Sequence, residues 1–590
     1  MNRTSAWCEL FVDALVHAGV REVVISPGSR STPLVWAFAA NGALRVHSVV
    51  DERAAGFFAL GMAKVSGDPV ALVCTSGSAP AHYFPAVLEA SVSRVPLLVI
   101  AADRPLVLQD VGANQTVSQR SLFGEHARWF ADLGEPDATL RGLRMVKRVA
   151  LQAVARARGP VPGPVQINAR FRKPLEPDAA APAEHVDAGV AERVIAVRRE
   201  GFAFHRAPVV VADDGAVDAL RVAIGKARRG LVVAGPLSAD ARTRRAVFYF
   251  CAHTGFPLVA EATSQLRFTA DVPAGVTLLD AFDAALRSSK GLPVPDLVIQ
   301  VGRPPTSGAW ERFVAAHASI PRWIVGDVEF EDPAQTAQGF VVGDTARAFE
   351  TLAHRAATKV DGAWVKSLVE HDRNAAHALR AASADGAIAE PVAMQAVVDA
   401  LPAGAVLSVG NSLPVRWADA WVTCRHKDLR VLSQRGLSGI DGLVAGAAGA
   451  RAASVDPVAL VLGDVSLLHD LGSLAVVRAQ AAPFLVVVLN NDGGHIFDTL
   501  PAARSEALRP HFDLWTTPHG LRFDHAAAMF GLGYSRAVDA GGLARALADG
   551  LEAARPTLVE VIVSSDNARM CLERLDAALA ESPPASNGAS

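Results

Sequence analysis

Disulfide chemistry and cysteine-bound metal have little to work with in this chain. Its 590 residues include five cysteines, and Cys8, Cys74, Cys251, Cys424 and Cys571 are widely scattered. None stands in a C-x-x-C spacing, so neither a zinc site nor a disulfide framework is indicated. No apolar run reaches the length of a membrane span. Glu9, Asp13 and His17 interrupt the first apolar pattern, which argues against a secretory leader. An excess of charge is missing too. The net charge is −3 and no basic block is present, which argues against a general nucleic-acid binder. Lysine is scarce beside arginine, a bias that looks like codon usage rather than function. What is there is a chain half hydrophobic and one-fifth charged, long enough for about three or four domains. It reads as a cytoplasmic enzyme.

The most informative stretch runs from Leu462 to Phe497. An apolar run, Val458–Leu462, ends in Gly463-Asp464. A helix-like segment follows, and a second apolar run, Phe484–Leu489, ends in Asn490-Asn491-Asp492-Gly493-Gly494. Short β-branched runs around a helical segment predict a βαβ unit with both strands ending on one sheet edge. Ligands of open parallel sheets bind at that edge. Asp464 and Asn491 then offer a carboxylate and an amide oxygen to one crevice, a set that suits a hard cation such as Mg²⁺. Gly493 and Gly494 allow close backbone approach. Two ordinary strand-end turns are the plainer reading, since Asp, Asn and Gly are common turn residues.

The rest of the chain supplies more polar strand ends. Trp7–Ala18 has helical periodicity, Val20–Ile25 reads as a strand, and Ser26-Pro27-Gly28-Ser29-Arg30 opens another helix. This is an anion cradle, or simply a well-capped connection. A strand at Val46–Val50 leads into Asp51-Glu52, placing Glu52 where the helix dipole favours a carboxylate. Capping explains Glu52 as well as catalysis does. Strands at Val70–Cys74 and Leu97–Ala101 end in Thr75-Ser76-Gly77 and Asp103-Arg104-Pro105. A helix follows from His82, the polar loop 112–116 includes Gln115, and Val165–Asn168 closes the unit. Pro174–Pro182 reads as a linker.

Between residues 190 and 355, three strands are expected at 231–236, 297–301 and 323–325. Gly235-Pro236 is no dinucleotide fingerprint, and Arg303 receives no role. A third unit starts near Pro391, with strands at 406–409, 430–432, 458–462, 484–489 and 558–563. The first two end at Gly410-Asn411-Ser412, with Arg416 following, and at Ser433-Gln434-Arg435-Gly436. The expected architecture is α/β throughout: three doubly wound parallel-sheet domains at 1–180, 190–355 and 385–575, with a frayed tail at 576–590.

Ten ordered segments carry a resemblance: ISPGSRSTPL, DERAAGFFALGMAK, TSGSAPAHYFPA, ADRP, GANQT, VGNSLPVR, QRGLSGIDG, GDVSLLHDL, NNDGGHIF and FDHAAAMF. Together they are similar to the thiamine-diphosphate decarboxylase and carboligase superfamily. Within it they resemble the 2-succinyl-5-enolpyruvyl-6-hydroxy-3-cyclohexene-1-carboxylate (SEPHCHC) synthases of menaquinone biosynthesis. The superfamily motif is normally GDG, where this chain has Val465 at the third position. The resemblance implies Mg²⁺ (or Mn²⁺) held by Asp464, Asn491 and the Gly493 carbonyl, with Gly463, Val465 and Ser466 beside the cofactor diphosphate. It implies that Glu52 reaches the cofactor's aminopyrimidine ring across a dimer interface, and that Ile440 props the cofactor in a bent shape. The implied reaction decarboxylates 2-oxoglutarate and adds the succinyl carbanion to isochorismate. Both substrates are dicarboxylates, so Arg30, Arg104, Arg416 and Arg435 become binding candidates, although structural ion pairs also account for some of them. Ser29, Gln115, Ser412, Ile496 and Phe497 match further family site positions, and His495 reads as a solvated rim residue. A homodimer or homotetramer is implied. A different thiamine-diphosphate decarboxylase or carboligase, and a catalytically silent scaffold of the same fold, are the competing readings.

Overall fold

The structure, a computed structural model, describes residues 2–177, 189–288, 292–327, 330–355, 360–383, 388–423 and 427–581. Cys424 and the expected linker from 178 onward lie outside the described residues. By internal packing the chain divides into two compact units. One combines Met1–Pro208 with Gln434–Val455 and Asp470–Gln480; the other combines Val209–Ser433 with Asp456–His469 and Ala481–Ser590.

The first unit is built on strands β1 (Glu22–Ile25), β2 (Arg45–Ser48), β3 (Val70–Cys74), β4 (Leu97–Asp103), β5 (Trp129–Asp132) and β6 (Pro164–Arg170). They form one parallel sheet in the order β2-β1-β3-β4-β6-β5. Strands β3, β4 and β6 are buried along their whole length. Such continuous burial fits a sheet covered by helices on both faces. Its core gathers Trp7, Phe11 and Phe38 with Val73, Ile100 and Ile167.

Two further parallel sheets lie in the second unit. One contains β7 (Gly230–Ala234), β8 (Leu258–Ala260), β9 (Leu278–Leu279), β10 (Leu297–Val301), β11 (Arg322–Gly326) and β12 (Gly339–Val342), in the order β12-β11-β10-β7-β8-β9. The other contains β13 (Val406–Val409), β14 (Arg430–Ser433), β15 (Val458–Gly463), β16 (Phe484–Asn490), β17 (Gly533–Ala537) and β18 (Thr557–Ile562), in the order β14-β13-β15-β16-β18-β17. The first and third sheets therefore share one winding, while the middle sheet has the 3-2-1-4-5-6 order of dinucleotide-binding folds.

The expected fold class of three parallel-sheet domains holds, with corrections of detail. The middle sheet has six strands, not three: β8 and β9 span only three and two residues, and β12 is mostly half-buried, so none reads as a buried apolar run. Edge strands β5 and β17 were also missed: their exposed residues break the apolar pattern. The helix expected from His82 starts at Ala79 and is interrupted at Tyr83, with Phe84–Ser93 following. Within the tail expected at 576–590, the last helix, Asn567–Glu581, extends as far as Glu581, and 582–590 lie outside the described residues.

Candidate active site

In the second unit, the carboxyl edge of the third sheet gathers the polar groups expected there. Strands β15 and β16 run in register with Gly463 opposite Leu489, so Asp464 and Asn491 emerge from neighbouring strand ends. Asp464 is 1% exposed. Its Oδ1 accepts the Val465 N–H at 2.7 Å and its Oδ2 the Gly493 N–H at 3.0 Å. Burial pushes this carboxyl up from the ordinary aspartate value, while the Val465 and Gly493 N–H groups and His519 pull it back.

His519 belongs to the site and was not anticipated. The Leu521 N–H donates to its Nδ1 at 2.9 Å, so the ring proton sits on Nε2, which faces Asp464 Oδ2 at 3.2 Å. Asp492, at φ +64°, accepts the His519 and Gly520 N–H groups and holds this loop in place. A loop histidine 55 residues from Asp464 gives no signal in sequence.

Asn491 decides whether a cation fits. Its Nδ2 donates to Glu390 Oε1 at 2.6 Å, whereas its Oδ1 is buried with no hydrogen-bond partner among the described residues. A buried amide oxygen left unpaired costs on the order of 1–3 kcal/mol, and a cation would satisfy it. Among the described residues no group of three or more His, Cys, Asp or Glu could hold a metal. The donors instead are one carboxylate, one amide oxygen and backbone, a set that suits a hard cation keeping open positions for another ligand. The Gly493 carbonyl already accepts the His495 N–H at 3.1 Å and retains a second lone pair. A Cβ at Gly493 would lie 2.4 Å from the Thr516 carbonyl oxygen, at φ +148°, so only glycine fits there.

The neighbouring candidates are disposed around this edge. Gly463 and Val465 are half-buried and Ser466 is buried. Ser412 adopts φ +72°, and its carbonyl accepts from the Arg416 guanidinium at 2.6 Å. Ile496 and Phe497 lie half-buried in a short 3₁₀ turn, with Ile496 packed against the core. His495 is not a solvated rim residue: Asp498 holds its Nδ1 at 2.6 Å, and the ring is 13% exposed.

In the first unit, Asp51 caps the Glu52–Ser66 helix by accepting the Arg53 N–H at 2.9 Å. The cap is thus Asp51, and the half-buried Glu52 carboxyl makes no hydrogen bond or ion pair among the described residues. Arg104 donates to Ser76 Oγ, and Gln115, at φ +54°, donates to the Ser76 carbonyl at 3.0 Å. Arg30 donates to the Phe171 carbonyl at 2.8 Å. Burial lowers its guanidinium from the ordinary value, and Arg104 nearby adds to that against the opposing pull of Asp103. Asp103 is taken by Arg170 at 2.8 Å, so neither Arg30 nor Arg104 has an ion-pair partner among the described residues. Two adjacent unpaired guanidiniums are suited to a carboxylate ligand. Ser29 is exposed beside them in a 3₁₀ turn. Arg435 and Ile440 lie on the loop after β14, which Glu89 anchors by accepting the Gly436 and Leu437 N–H groups at 3.1 and 2.8 Å.

Residues 7–122 match the N-terminal TPP binding domain of thiamine pyrophosphate enzymes, 217–409 the middle domain and 413–561 the C-terminal TPP binding domain. The chain is 46% identical over 615 aligned residues to the SEPHCHC synthase of Sorangium cellulosum (strain So ce56), covering 100% of this chain and 98% of that protein. The chain belongs to the SEPHCHC synthase family. It is 40% identical to the family member of Geobacillus kaustophilus (strain HTA426), with 96% of each chain covered. To that of Haloarcula marismortui (strain ATCC 43049 / DSM 3752 / JCM 8966 / VKM B-1809) it is 36% identical, with 98% of each covered. It is a thiamine-diphosphate-dependent enzyme of the transferase class. Among the described residues no helix is long and apolar enough to cross a membrane.

Proposed function

We propose that the chain decarboxylates 2-oxoglutarate and transfers the succinyl unit to isochorismate in a Stetter-like 1,4-addition, giving SEPHCHC and CO₂ for menaquinone biosynthesis in the cytoplasm. Thiamine diphosphate, when bound, supplies the carbon nucleophile and the electron sink. Asp464, the Asn491 oxygen and the Gly493 carbonyl hold Mg²⁺ or Mn²⁺, with Gly463, Val465 and Ser466 against the diphosphate. Ile440 would pack against the cofactor. Glu52 would face the cofactor's aminopyrimidine ring, where its carboxyl would share a proton with a ring nitrogen. Arg30 and Arg104 bind substrate carboxylate with Ser29 and Gln115 beside them, and Arg416 and Arg435 serve the second dicarboxylate. Ser412, Ile496 and Phe497 shape the substrate side.

The observation that carries this reading is the buried, unpartnered Oδ1 of Asn491 beside Asp464. A second copy of the chain completes the site, in a homodimer or a tetramer of such dimers. Leu106, Val107 and Val111, exposed at 68%, 65% and 66% beside the Arg104–Gln115 segment, support that interface, since such apolar clusters mark association surfaces. The decisive experiment incubates purified protein with thiamine diphosphate, Mg²⁺, 2-oxoglutarate and isochorismate, and identifies the product by mass. An adduct lighter by CO₂ than the summed substrates is expected. CO₂ release without adduct would indicate a simple decarboxylase instead.

A further inference from the structure

Glu390 is 2% exposed and has no place in the roles above. It begins the Glu390–Ala400 helix, and its N–H donates to Asn567 Oδ1 at 3.0 Å. Its two carboxyl oxygens are used separately. Oε1 accepts from Asn491 Nδ2 at 2.6 Å, and Oε2 accepts from Trp417 Nε1, also at 2.6 Å. Burying a carboxylate is costly unless its hydrogen bonds are satisfied, and here each oxygen has one donor.

The chemistry of the three groups fixes a direction. An indole N–H only donates, a carboxylate only accepts, and a carboxamide has one face of each kind. With Trp417 holding Oε2, the face that Asn491 turns to Oε1 must be its N–H₂. Its oxygen then points away, and that oxygen is the buried atom without a partner. We propose that Glu390 is a positioning residue: together with Trp417 it locks the Asn491 carboxamide with its oxygen presented to the cation. The inference rests on the cation site proposed above. Groups that orient metal ligands typically change metal affinity by tenfold to a hundredfold when replaced.

The test titrates Mg²⁺ into full-length enzyme stripped with EDTA, with thiamine diphosphate in excess, by calorimetry. A parallel thermal melt without metal checks the fold. In E390Q the amide meets two donors with a single acceptor. If its oxygen turns to Trp417, its N–H₂ faces Asn491 and draws the Asn491 oxygen away from the cation. Mg²⁺ affinity is expected to fall by about tenfold to a hundredfold. W417F removes the competing donor, so the E390Q/W417F double variant is expected to recover most of that loss. N491D gives an independent reading: it offers the cation an anionic ligand but sets a carboxylate against Glu390, so weaker Mg²⁺ binding than in the parent is expected.

Failure of the double variant to recover affinity would overturn the proposal, as would unchanged affinity in E390Q or tighter binding in N491D. N491A separates the two levels. If it weakens Mg²⁺ binding while E390Q does not, the cation site stands and the role of Glu390 falls. If N491A leaves binding unchanged, the cation site itself falls and takes the positioning role with it.

Discussion

Glu52 and Glu89 are carboxylates on neighbouring helices of the first unit, and their partners separate them. Glu52 makes no hydrogen bond or ion pair among the described residues, because Asp51 does the capping. Replacing it with Gln should leave thiamine-diphosphate affinity within a fewfold of the parent while kcat drops by about 10²–10⁴, the range of a lost acid–base group. Steady-state kinetics beside cofactor titration check this, and full activity would remove Glu52 from the mechanism. Glu89 is the opposite case. It accepts from Lys64, Ser93, Gly436 and Leu437. Burial alone would raise its carboxyl, yet these partners outweigh burial and leave it below the ordinary glutamate value. A lowered folded-state value means stability that is present above the ordinary glutamate range and lost as pH falls through the folded value. Glu89→Gln should therefore cost about 1–3 kcal/mol at neutral pH. The gap to the parent should close as melts are repeated below the ordinary glutamate range. A gap independent of pH would contradict the assignment. Neither the Asp51 cap nor the Glu89 anchor is legible in sequence. Asp51 and Glu52 are equally good helix-start residues, and Glu89 lies 347 positions from Gly436. Glu390 was hidden likewise: a Glu before Pro391 reads as an ordinary helix opening, and its partner is 101 positions away.

At the scale of elements, the helix that starts at Glu52 is held by a close approach to the Leu443–Ala452 helix. A Cβ at Gly61 would lie 1.9 Å from the Gly446 carbonyl oxygen, and one at Gly449 would lie 1.9 Å from the Phe58 carbonyl oxygen. These contacts are backbone on both sides, so no side chain can move to make room. Gly61→Ala would gain up to about 1 kcal/mol of helix propensity, but overpacking costs about 1–3 kcal/mol or more. A lower melting temperature is expected, with Glu52 activity reduced in the folded fraction; a raised one would show that the helices part freely. Nothing in the sequence signals that these two segments pair. Long buried strands such as β4 and β16 were legible because both faces are covered and the apolar run is unbroken. The short strands were not: a two-residue β9 and a mostly half-buried β17 owe their pairing to neighbours rather than to their own composition.

For the whole molecule, the difference in winding sets the middle sheet apart from the other two. In the middle sheet β7 and β10 are adjacent at the reversal of strand order, where dinucleotides bind in this topology. There the chain's own backbone approaches closely: a Cβ at Gly235 would lie 1.9 Å from the Arg303 carbonyl oxygen. The presence of three parallel sheets was legible in the apolar runs and their polar ends. The packing units were not, because Gln434–Val455 and Asp470–Gln480 join the first unit although in sequence they fall between strands of the third sheet. A fragment of residues 1–208 should therefore lack a cooperative thermal melt and bind hydrophobic dyes, since Phe57 and Gly61 lose the helix that covers them. A sharp, native-like melt would refute this. The same arrangement bears on birth of the molecule at the ribosome. From Pro208 to the end of the covering helix at Ala452 the ribosome adds 452 − 208 = 244 residues, about 12–49 s of synthesis at ~5–20 residues per second. For that interval the first-made third of the chain waits, its glycine-lined helix face open to chaperones and to other nascent chains.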